Sequence, residues 1–562
     1  MRRGRSATPA GAARTASATA PAGATPPSPP EGGAPSYLPR SFAIAMLLML
    51  GFSTISVQLV RLALKGQVEF RMTMSRSLGD SSARPDILDR HGRLLATDVE
   101  APTLYADPFL IQDVDEVLEK LRQVFPDIDT PDLRRLLSDR NRRFVRLRRG
   151  LSPATAQLVH GFGLPGLAFK WEPKRVYPNS TMAGHVLGNV NVDNQGTAGI
   201  ERYLDDSAAG PASAPTAPRE PVRLTIDLAV QHGLEAELRD AVQRFGAPGA
   251  SGLVLDIANG EVLAAASIPE VDPGRRLQAL DAARVDKVAD GVYELGSIFK
   301  TVTVAMALEA GTTALDKVYD VRLPLRVGPY AIRDLHPLGR PLTTSEIFVH
   351  SSNVGAGMMG LELGTKRQRE MLAGLGMLEP LRTETGAVAI PKQPANWGRA
   401  ETITISFGHG LAVSPLQFAA VTASLLNGGW KIKPRFTLNS APAPRERVLS
   451  EETSAALRYL MRRNVIAPNG TGRRAEVPGY EVGGKTGTAE MPGRGGYREK
   501  AVIASFVAAF PMSAPKYLVL VTLHEPKPTS ETGRQITAGT NAAPIAGQII
   551  ARVAPLLGLL PQ

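Results

Sequence analysis

Cysteine is missing from this chain of 562 residues. Without cysteine the protein forms no disulfide, holds no metal through thiolates and has no cysteine nucleophile. Any nucleophilic chemistry must therefore come from a hydroxyl, an amine or a carboxylate. A cysteine-free chain is compatible with an oxidising compartment but does not require one.

Aromatic residues are also scarce, at 5% of the chain, although the net charge is +11. A basic protein can bind nucleic acid, an anionic membrane or another anionic polymer. Nucleic-acid surfaces interleave lysine and arginine with aromatics, and the sequence has no such stripe, so we expect no nucleic-acid partner. The histidines lack metal-ligand spacing and the glycine-rich runs lack a Walker pattern, so we expect no metal and no other cofactor.

One long apolar run lies near the N-terminus, from Ser41 to Val60, and contains no charged residue. About 20 apolar residues suffice to span a bilayer as a helix. The alternatives are a buried core helix and a cleaved signal peptide, but a signal peptide begins with a short basic segment, whereas about 40 residues precede this run. We therefore predict an uncleaved anchor at residues 39–64. Arginines flank it on both sides, so the positive-inside rule does not orient it.

Composition divides the rest of the chain. Residues 1–38 are rich in alanine, proline, glycine, serine and threonine, and we expect a disordered tail because such a segment buries too little apolar surface to offset its ordering entropy. Residues 204–219 have a similar composition and predict a linker. We therefore place a stalk and a first globular domain at residues 65–219, and a second domain at residues 220–562.

Local patterns predict mixed α and β structure in the first domain. Apolar runs on either side of Gly92 suggest two strands joined by a turn. Residues 113–163 resemble helices, with a basic stretch from Arg134 to Arg149. We interpret that stretch as a solvated helix face or a contact with another chain, with binding to an anionic polymer as the alternative.

The second domain shows strands near both of its ends. Asn259-Gly260 between two apolar runs is a strong hairpin signal. Other segments have the pattern of strands (482–489, 502–510 and 517–524) or of helices (228–245 and 542–557). Two early strands, a helical middle and three late strands predict an antiparallel sheet made from both ends of the domain.

Three short motifs carry the chemistry of the second domain. They are Ser297-Ile298-Phe299-Lys300, Ser351-Ser352-Asn353 and Lys485-Thr486-Gly487-Thr488. Ser297 precedes a predicted helix, and residues three apart share one helix face, so Lys300 can place its amine beside the Ser297 hydroxyl. Serine needs an adjacent base to act as a nucleophile, and lysine can serve when burial and nearby charge lower its pKa. Alone, this pair is more often a helix cap and a surface lysine.

The second motif lies between two helical stretches. The Ser351 hydroxyl could relay a proton to a leaving amine, and Asn353 could hold Lys300 and a substrate amide. An ordinary polar turn is the alternative, and it would be the better interpretation of this motif if it stood alone.

The third motif lies on a predicted strand. Gly487 lacks a side chain, so a substrate backbone could pair with the strand there. The backbone N–H groups of Thr488 and Ser297 could form an oxyanion hole. The hydroxyls of Thr486 and Thr488 could bind a carboxylate, with Lys485 supplying positive charge. A strand with an outward lysine is the alternative, but it would have to coincide with the ordinary interpretations of both other motifs.

Taken together, the motifs resemble the set found in serine β-lactamases and penicillin-binding proteins. Over about residues 40–555, the chain resembles a class B penicillin-binding protein, a monofunctional peptidoglycan D,D-transpeptidase, of the division-specific FtsI family. Ile298 stands where that family often has threonine. The resemblance also rests on further segments: 292–300, 404–410 and 414–417 in the second domain, and 89–92, 175–178 and 196–201 in the first.

The resemblance implies an α+β fold. It consists of a serine β-lactamase/transpeptidase-like domain with an antiparallel sheet flanked by helices, an N-terminal pedestal domain of the dimerisation type, and a single membrane-spanning helix. Ser297, with Lys300, Ser351, Asn353 and Lys485, would be catalytic. The segment Thr486-Gly487-Thr488 would bind substrate.

The resemblance also implies a substrate, a location and partners. Peptidoglycan stem peptides would be cross-linked at the division septum through an acyl-serine intermediate, and β-lactams would inhibit the reaction. The protein would cross the bacterial inner membrane once, with the tail in the cytoplasm and the catalytic domain in the periplasm. Its partners would be a SEDS-family glycan polymerase and other division proteins.

Other interpretations of the same residues remain open. An elongation-type class B penicillin-binding protein would share most of the pattern. A serine β-lactamase or a D,D-carboxypeptidase would pass the acyl group to water. A non-catalytic division scaffold would use the pedestal and the helix alone, which the intact motifs disfavour.

Overall fold

The computed structural model describes residues 38–77, 84–207, 220–438, 446–493 and 496–561. Nearly all of the predicted tail at residues 1–38, and most of the predicted linker at residues 204–219, lie outside these ranges. The chain divides into two compact units, residues 1–75 and 76–562.

A single helix, α1 (Leu38–Ser77), begins the described chain. Its segment Phe42–Arg61 is long and apolar enough to cross a membrane. Large apolar side chains such as Phe42 and Leu47 are exposed there. The helix extends beyond the predicted anchor at residues 39–64, because the segment assigned to a stalk is helical as far as Ser77.

The other described α-helices lie in the larger unit. Their bounds are α2 Val114–Arg122, α3 Pro131–Ser138, α4 Pro153–Gly161, α5 Gly184–Leu187, α6 Gly199–Asp206, α7 Leu228–Arg244, α8 Lys300–Glu309, α9 Thr344–His350, α10 Asn353–Leu363, α11 Thr365–Gly374, α12 Arg399–Ile405, α13 Pro415–Leu426, α14 Glu451–Ile466 and α15 Ala542–Leu556.

The described strands alternate with these helices. Their bounds are β1 Ile87–Leu88, β2 Leu94–Ala106, β3 Val145–Arg148, β4 Leu167–Val176, β5 Val222–Arg223, β6 Gly249–Asp256, β7 Val262–Ile268, β8 Val318–Tyr319, β9 Leu325–Val327, β10 Tyr330–Ile332, β11 Leu342–Thr343, β12 Arg382–Thr383, β13 Gly386–Ala387, β14 Gly483–Gly493, β15 Gly496–Phe510 and β16 Tyr517–His524.

A five-stranded sheet organises the first domain, which we call the pedestal. Its order is β3-β2-β1-β5, and β4 pairs with β2. The predicted hairpin around Gly92 is confirmed, because β1 and β2 pair antiparallel with Ile87 opposite Ala96. The basic stretch is not wholly helical as predicted, since it runs from α3 through a loop into β3. Strand β5 joins this sheet just beyond the boundary placed near residue 220.

Most arginines of the basic stretch have carboxylate partners within the pedestal. The pairs are Arg134 with Asp129, Arg135 with Asp132, Arg142 with Asp139, Arg143 with Asp107, Arg146 with Glu172 and Arg148 with Asp127. Because these charges are largely compensated locally, the stretch is a surface of ion pairs rather than a uniformly cationic face.

The second domain is built on a five-stranded antiparallel sheet in the order β14-β15-β16-β6-β7. The predicted Asn259-Gly260 hairpin and the three predicted C-terminal strands are therefore confirmed. Neighbouring side chains of β6 alternate between two apolar layers. Val254 packs with α7 and α15, whereas Leu253 belongs to the layer that contains α8, α13 and α14.

One apolar core crosses from the pedestal into the second domain. It contains Ile87 and Ile200 from the pedestal together with Leu255 and Phe418 from the second domain, and all four side chains are fully buried. Charged groups reinforce the junction at its rim. Arg93 donates from Nη2 to Asp227 Oδ1 at the start of α7, over 2.8 Å.

Candidate active site

Ser297 lies in a short 3₁₀ helix, Gly296–Phe299, that leads directly into α8. Gly296 has φ 58°, a left-handed conformation that glycine adopts without strain. The sequence predicts that an α-helix begins directly after Ser297, whereas in the structure the first turn is the tighter 3₁₀ helix. It places Lys300 at the first position of α8, with its Nζ 2.8 Å from Ser297 Oγ.

Glycines allow three backbone segments to meet at this turn. A Cβ on Gly487 would lie 2.4 Å from the Leu295 carbonyl oxygen, and one on Gly408 would lie 2.0 Å from the Gly296 carbonyl oxygen. Either contact is far below a van der Waals distance, so side chains cannot be accommodated there. The Gly487 backbone therefore supports the serine turn directly, a role that the sequence does not reveal.

Lys300 is fully buried and surrounded by oxygen acceptors. Its Nζ lies 2.7 Å from both the Ser351 carbonyl oxygen and Asn353 Oδ1, and 3.1 Å from Ser351 Oγ. Burial lowers the pKa of Lys300 well below its usual value, repulsion from Lys485 lowers it further, and Asp334 opposes the shift. Lys300 is thus placed and tuned to hold or to accept a proton at the serine.

Lys485 projects from β14 toward the same point. Its Nζ donates to Ser351 Oγ over 2.9 Å and to the Thr486 carbonyl oxygen over 3.2 Å. Burial lowers the pKa of Lys485 to about 7. The Ser351 hydroxyl consequently bridges the two lysines, which is the geometry of a proton relay.

The turn between α9 and α10 aims the second motif inward. Ser351 ends α9 in a left-handed conformation, with φ 60° and ψ 42°. Ser352 then caps α10 by accepting a hydrogen bond from the Gly355 N–H over 2.9 Å. Asn353 opens α10 and turns its amide oxygen toward Lys300. The sequence correctly predicts a polar turn between two helices here.

The threonines of the third motif line an open cleft. Thr486 donates from its hydroxyl to Thr471 Oγ1 over 2.7 Å, and Thr488 Oγ1 accepts from the Ala538 N–H over 3.0 Å. The cleft has a volume of about 950 Å³, and Ser297 also lines it. Both hydroxyls already have protein partners, so each can offer a substrate only its remaining hydrogen-bonding capacity.

Three cleft residues escape detection from the sequence. Asp334 binds the start of α10, Glu490 follows the third motif on β14, and His409 follows α12. Burial lowers the pKa of His409. Asp334 belongs to no short pattern of recognisable spacing, Glu490 lies two residues beyond the third motif, and His409 stands in the segment 404–410 but has no role predicted from the sequence. Within the described ranges, no group of three or more histidine, aspartate or glutamate side chains could hold a metal ion.

The geometry supports nucleophilic catalysis by serine. The Ser297 hydroxyl lies beside the buried Lys300 amine, and the Ser351 hydroxyl connects this amine to the second buried lysine, Lys485. The cleft that Ser297 lines is open to a substrate. Strand β14 lies at one edge of its sheet among the described strands. An extended peptide could therefore pair along β14 and bring a carbonyl carbon to Ser297.

Comparison with known proteins shows the family to which the chain is similar. Residues 250–551 match the penicillin-binding protein transpeptidase domain, and residues 80–213 match the penicillin-binding protein dimerisation domain. Relatives include a probable peptidoglycan D,D-transpeptidase FtsI of Caulobacter vibrioides, 38% identical over 86% of this chain and 82% of the relative. The peptidoglycan D,D-transpeptidase FtsI of Escherichia coli is 28% identical over 86% of this chain and 85% of the relative.

A solved structure shares the fold. The crystal structure of penicillin-binding protein 3 from Mycobacterium tuberculosis, complexed with aztreonam, superposes with a TM-score of 0.65. It covers 86% of this chain and 97% of the solved chain at 24% sequence identity. The predicted fold, an antiparallel sheet flanked by helices behind an N-terminal pedestal, is thereby confirmed. The chain belongs to the penicillin-binding protein transpeptidase family, with the FtsI proteins among its relatives.

Proposed function

We propose that this protein is a peptidoglycan D,D-transpeptidase that cross-links stem peptides during cell division through an acyl-Ser297 intermediate. The observation that carries the proposal is the 2.8 Å contact between Ser297 Oγ and Lys300 Nζ, inside a network that ends at a second buried lysine. The names of the FtsI relatives support the substrate and the role in division.

In the acylation half-reaction, a neutral Lys300 amine accepts the hydroxyl proton as Ser297 Oγ attacks the carbonyl carbon of the penultimate D-Ala. The backbone N–H groups of Ser297 and Thr488 stabilise the developing oxyanion. A proton returns through Ser351 to the amine of the terminal D-Ala as the C–N bond breaks. Free D-Ala is released, and the rest of the donor peptide remains bound to Ser297 as an ester.

In the second half-reaction, the amine of a neighbouring stem peptide attacks the ester. It loses a proton to the same relay, a new amide bond forms, and the Ser297 hydroxyl is restored. Thr486, Gly487 and Thr488 position the donor peptide along β14, and Lys485 contributes positive charge. Ser297 attacks the amide carbonyl of a β-lactam in the same way, and the reaction stops at the resulting ester on Ser297.

The remaining parts of the chain fit a membrane-bound division enzyme. We assign residues 1–38 to a cytoplasmic tail, 39–64 to the membrane anchor, 65–219 to the stalk and pedestal, and 220–562 to the transpeptidase domain in the periplasm. The stem-peptide substrate lies outside the cytoplasmic membrane, which sets this orientation. A SEDS-family glycan polymerase and other division proteins would bind the anchor and the pedestal.

The test is time-resolved labelling of the full-length protein in detergent by a fluorescent penicillin. We expect a stable covalent adduct in the wild type and none in Ser297→Ala, since the Ser297 hydroxyl lines the cleft and lies 2.8 Å from the buried Lys300 amine. Ser345→Ala is the matched control, because the Ser345 hydroxyl donates to the Leu315 carbonyl oxygen away from the cleft.

The outcomes separate the alternatives. A label that survives in Ser297→Ala would remove Ser297 as the nucleophile. Rapid loss of the label from the wild type would indicate a β-lactamase, and transfer of the stem-peptide acyl group to water without cross-linking would indicate a carboxypeptidase. A folded wild type that takes no label would favour the scaffold.

A further inference from the structure

Asp334 makes an unusually complete set of hydrogen bonds at the edge of the cleft. Its Oδ1 accepts from the backbone N–H groups of Asn353 and Val354 over 2.6 and 2.9 Å, and its Oδ2 accepts from the Ser352 hydroxyl over 2.7 Å. Both carboxylate oxygens therefore hold the first turn of α10, where a negative charge is also favoured by the helix dipole.

These bonds lead directly to the catalytic amine. Asp334 fixes the backbone of Asn353, and the side chain of Asn353 accepts from Lys300 Nζ over 2.7 Å. The same turn carries the Ser351 carbonyl and hydroxyl oxygens that contact Lys300. Holding the start of α10 thus holds three of the four oxygens around that amine.

Charge around Lys300 is contributed by several elements. Lys485 on β14 disfavours a proton on Lys300, as does His409 after α12 when it is protonated, whereas Asp334 favours one. Glu294 and Glu490 favour a proton on His409. Asp334 therefore supplies the negative charge that offsets the neighbouring cation Lys485.

We propose that Asp334 is a positioning residue of the acylation step, which holds Ser351 and Asn353 against Lys300 and supplies the compensating charge for the buried lysine pair. This inference rests on the proposed acyl-serine function. It adds a fourth element, the loop between β10 and β11, to the three motif-bearing elements. Leu335 and His336 follow in that loop and line the cleft, so substrate contacts there adjoin the lysine network.

The test compares the pH dependence of acylation by a fluorescent penicillin in three variants of the full-length protein. Asp334→Asn removes the charge but keeps an oxygen for the two N–H groups, and its amide can donate to Ser352 Oγ. Asp334→Glu keeps the charge but changes the geometry. Glu309→Gln is the matched control, because Glu309 holds the start of α14 through Ser450 and Thr453 in the same manner, outside the cleft.

We expect the acid limb of the acylation profile to move to lower pH in Asp334→Asn. Removing the carboxylate charge lets Lys300 lose its proton more readily, so the neutral base is reached at lower pH. The maximal rate should fall by less than about tenfold, because a weaker base is a poorer proton acceptor. Asp334→Glu should lose rate yet keep the limb near its wild-type position, and Glu309→Gln should change neither.

A limb that stays in place in Asp334→Asn overturns the proposal, whatever happens to the rate, since a merely structural residue changes amplitude alone. An equal shift in Glu309→Gln also overturns it, because the effect would then be general. Failure of the proposed function has a different signature: the wild type itself would form no adduct at any pH.

Discussion

The pedestal and the catalytic cleft both bury basic side chains, but the pedestal pairs them with a carboxylate and the cleft surrounds them with neutral oxygens. In the pedestal, Glu201 accepts from Arg84 Nε over 2.9 Å, from Arg175 Nε over 2.7 Å and from the Tyr177 hydroxyl over 3.1 Å. In the cleft, two buried lysines share the Ser351 hydroxyl, and their amines donate hydrogen bonds to neutral oxygens.

The difference distinguishes structural charge from functional charge. In the pedestal the buried arginines Arg84 and Arg175 each contact the Glu201 carboxylate directly, and the cluster fixes the β1, β4 and α6 regions together. In the cleft the lysines are held where ionisation is costly, so protons leave them readily. Burying the two lysines lowers the free energy of unfolding, but it also gives them the lowered pKa that proton transfer requires.

The largest expected effect breaks the pedestal cluster. Glu201→Gln leaves Arg84 and Arg175 without their shared anion, which should cost about 3–5 kcal/mol of unfolding free energy. Glu235→Gln is the control. Glu235 is also buried, but burial raises its pKa, so the neutral side chain of glutamine should cost less stability there. Thermal unfolding of the full-length protein in detergent measures both. A similar small loss in the two variants would contradict the assignment of Glu201 as a structural charge.

An intermediate effect comes from the cleft. Lys485→Met should abolish most acylation yet stabilise the protein at low pH by roughly 1–3 kcal/mol, since a buried charge is replaced by an apolar side chain. Burial lowers the pKa of Lys485 to about 7 in the folded protein, from its ordinary value of 10.5. Between these values the unfolded chain binds the extra proton, so wild-type stability rises with pH and the advantage of the variant shrinks.

Denaturation curves at several pH values test this slope. Lys366→Met, at a lysine that is 91% exposed, should show no such convergence. A Lys485→Met advantage that stayed constant across the pH range would mean that the lysine keeps its proton when buried.

The smallest expected effect lies on the pedestal surface. Arg135 pairs with Asp132 over 3.1 Å, but its side chain is 78% exposed. Solvent and salt screen such pairs, so Arg135→Ala should leave the melting temperature unchanged. A clear loss there would show that the arginine-rich surface contributes to stability as a network, and the contrast between buried and exposed charge would then need revision.

Much of the fold follows from local patterns in the sequence. The Asn259-Gly260 hairpin, helix α7 and the three late strands are where alternation and turn chemistry predict them. Strand β3 was missed because its arginines resemble a solvated helix face. Strand β5 is only two residues long, and its parallel pairing with β1 depends on the tertiary structure.

The candidate site divides in the same way. Ser297, Lys300, Ser351, Asn353 and Lys485 stand in short motifs, and the structure brings all five together. Their roles in catalysis stay predictions until the labelling experiments are done. Asp334 could not be found from the sequence, because it lies in an irregular loop and acts on a helix start 19 residues away. The close approach of Gly408 to Gly296 likewise depends on segments that meet only after folding.

The apolar core shared by the pedestal and the catalytic domain bears on how such proteins are inherited. Ile87 and Leu95 on one side belong to the same buried core as Leu255 and Val262 on the other, and close-packed interiors tolerate few mismatches in shape. A gene mosaic that joined the pedestal of one lineage to the catalytic domain of another would combine two unmatched halves of one interior. We therefore expect the two domains to pass between lineages together, as one unit.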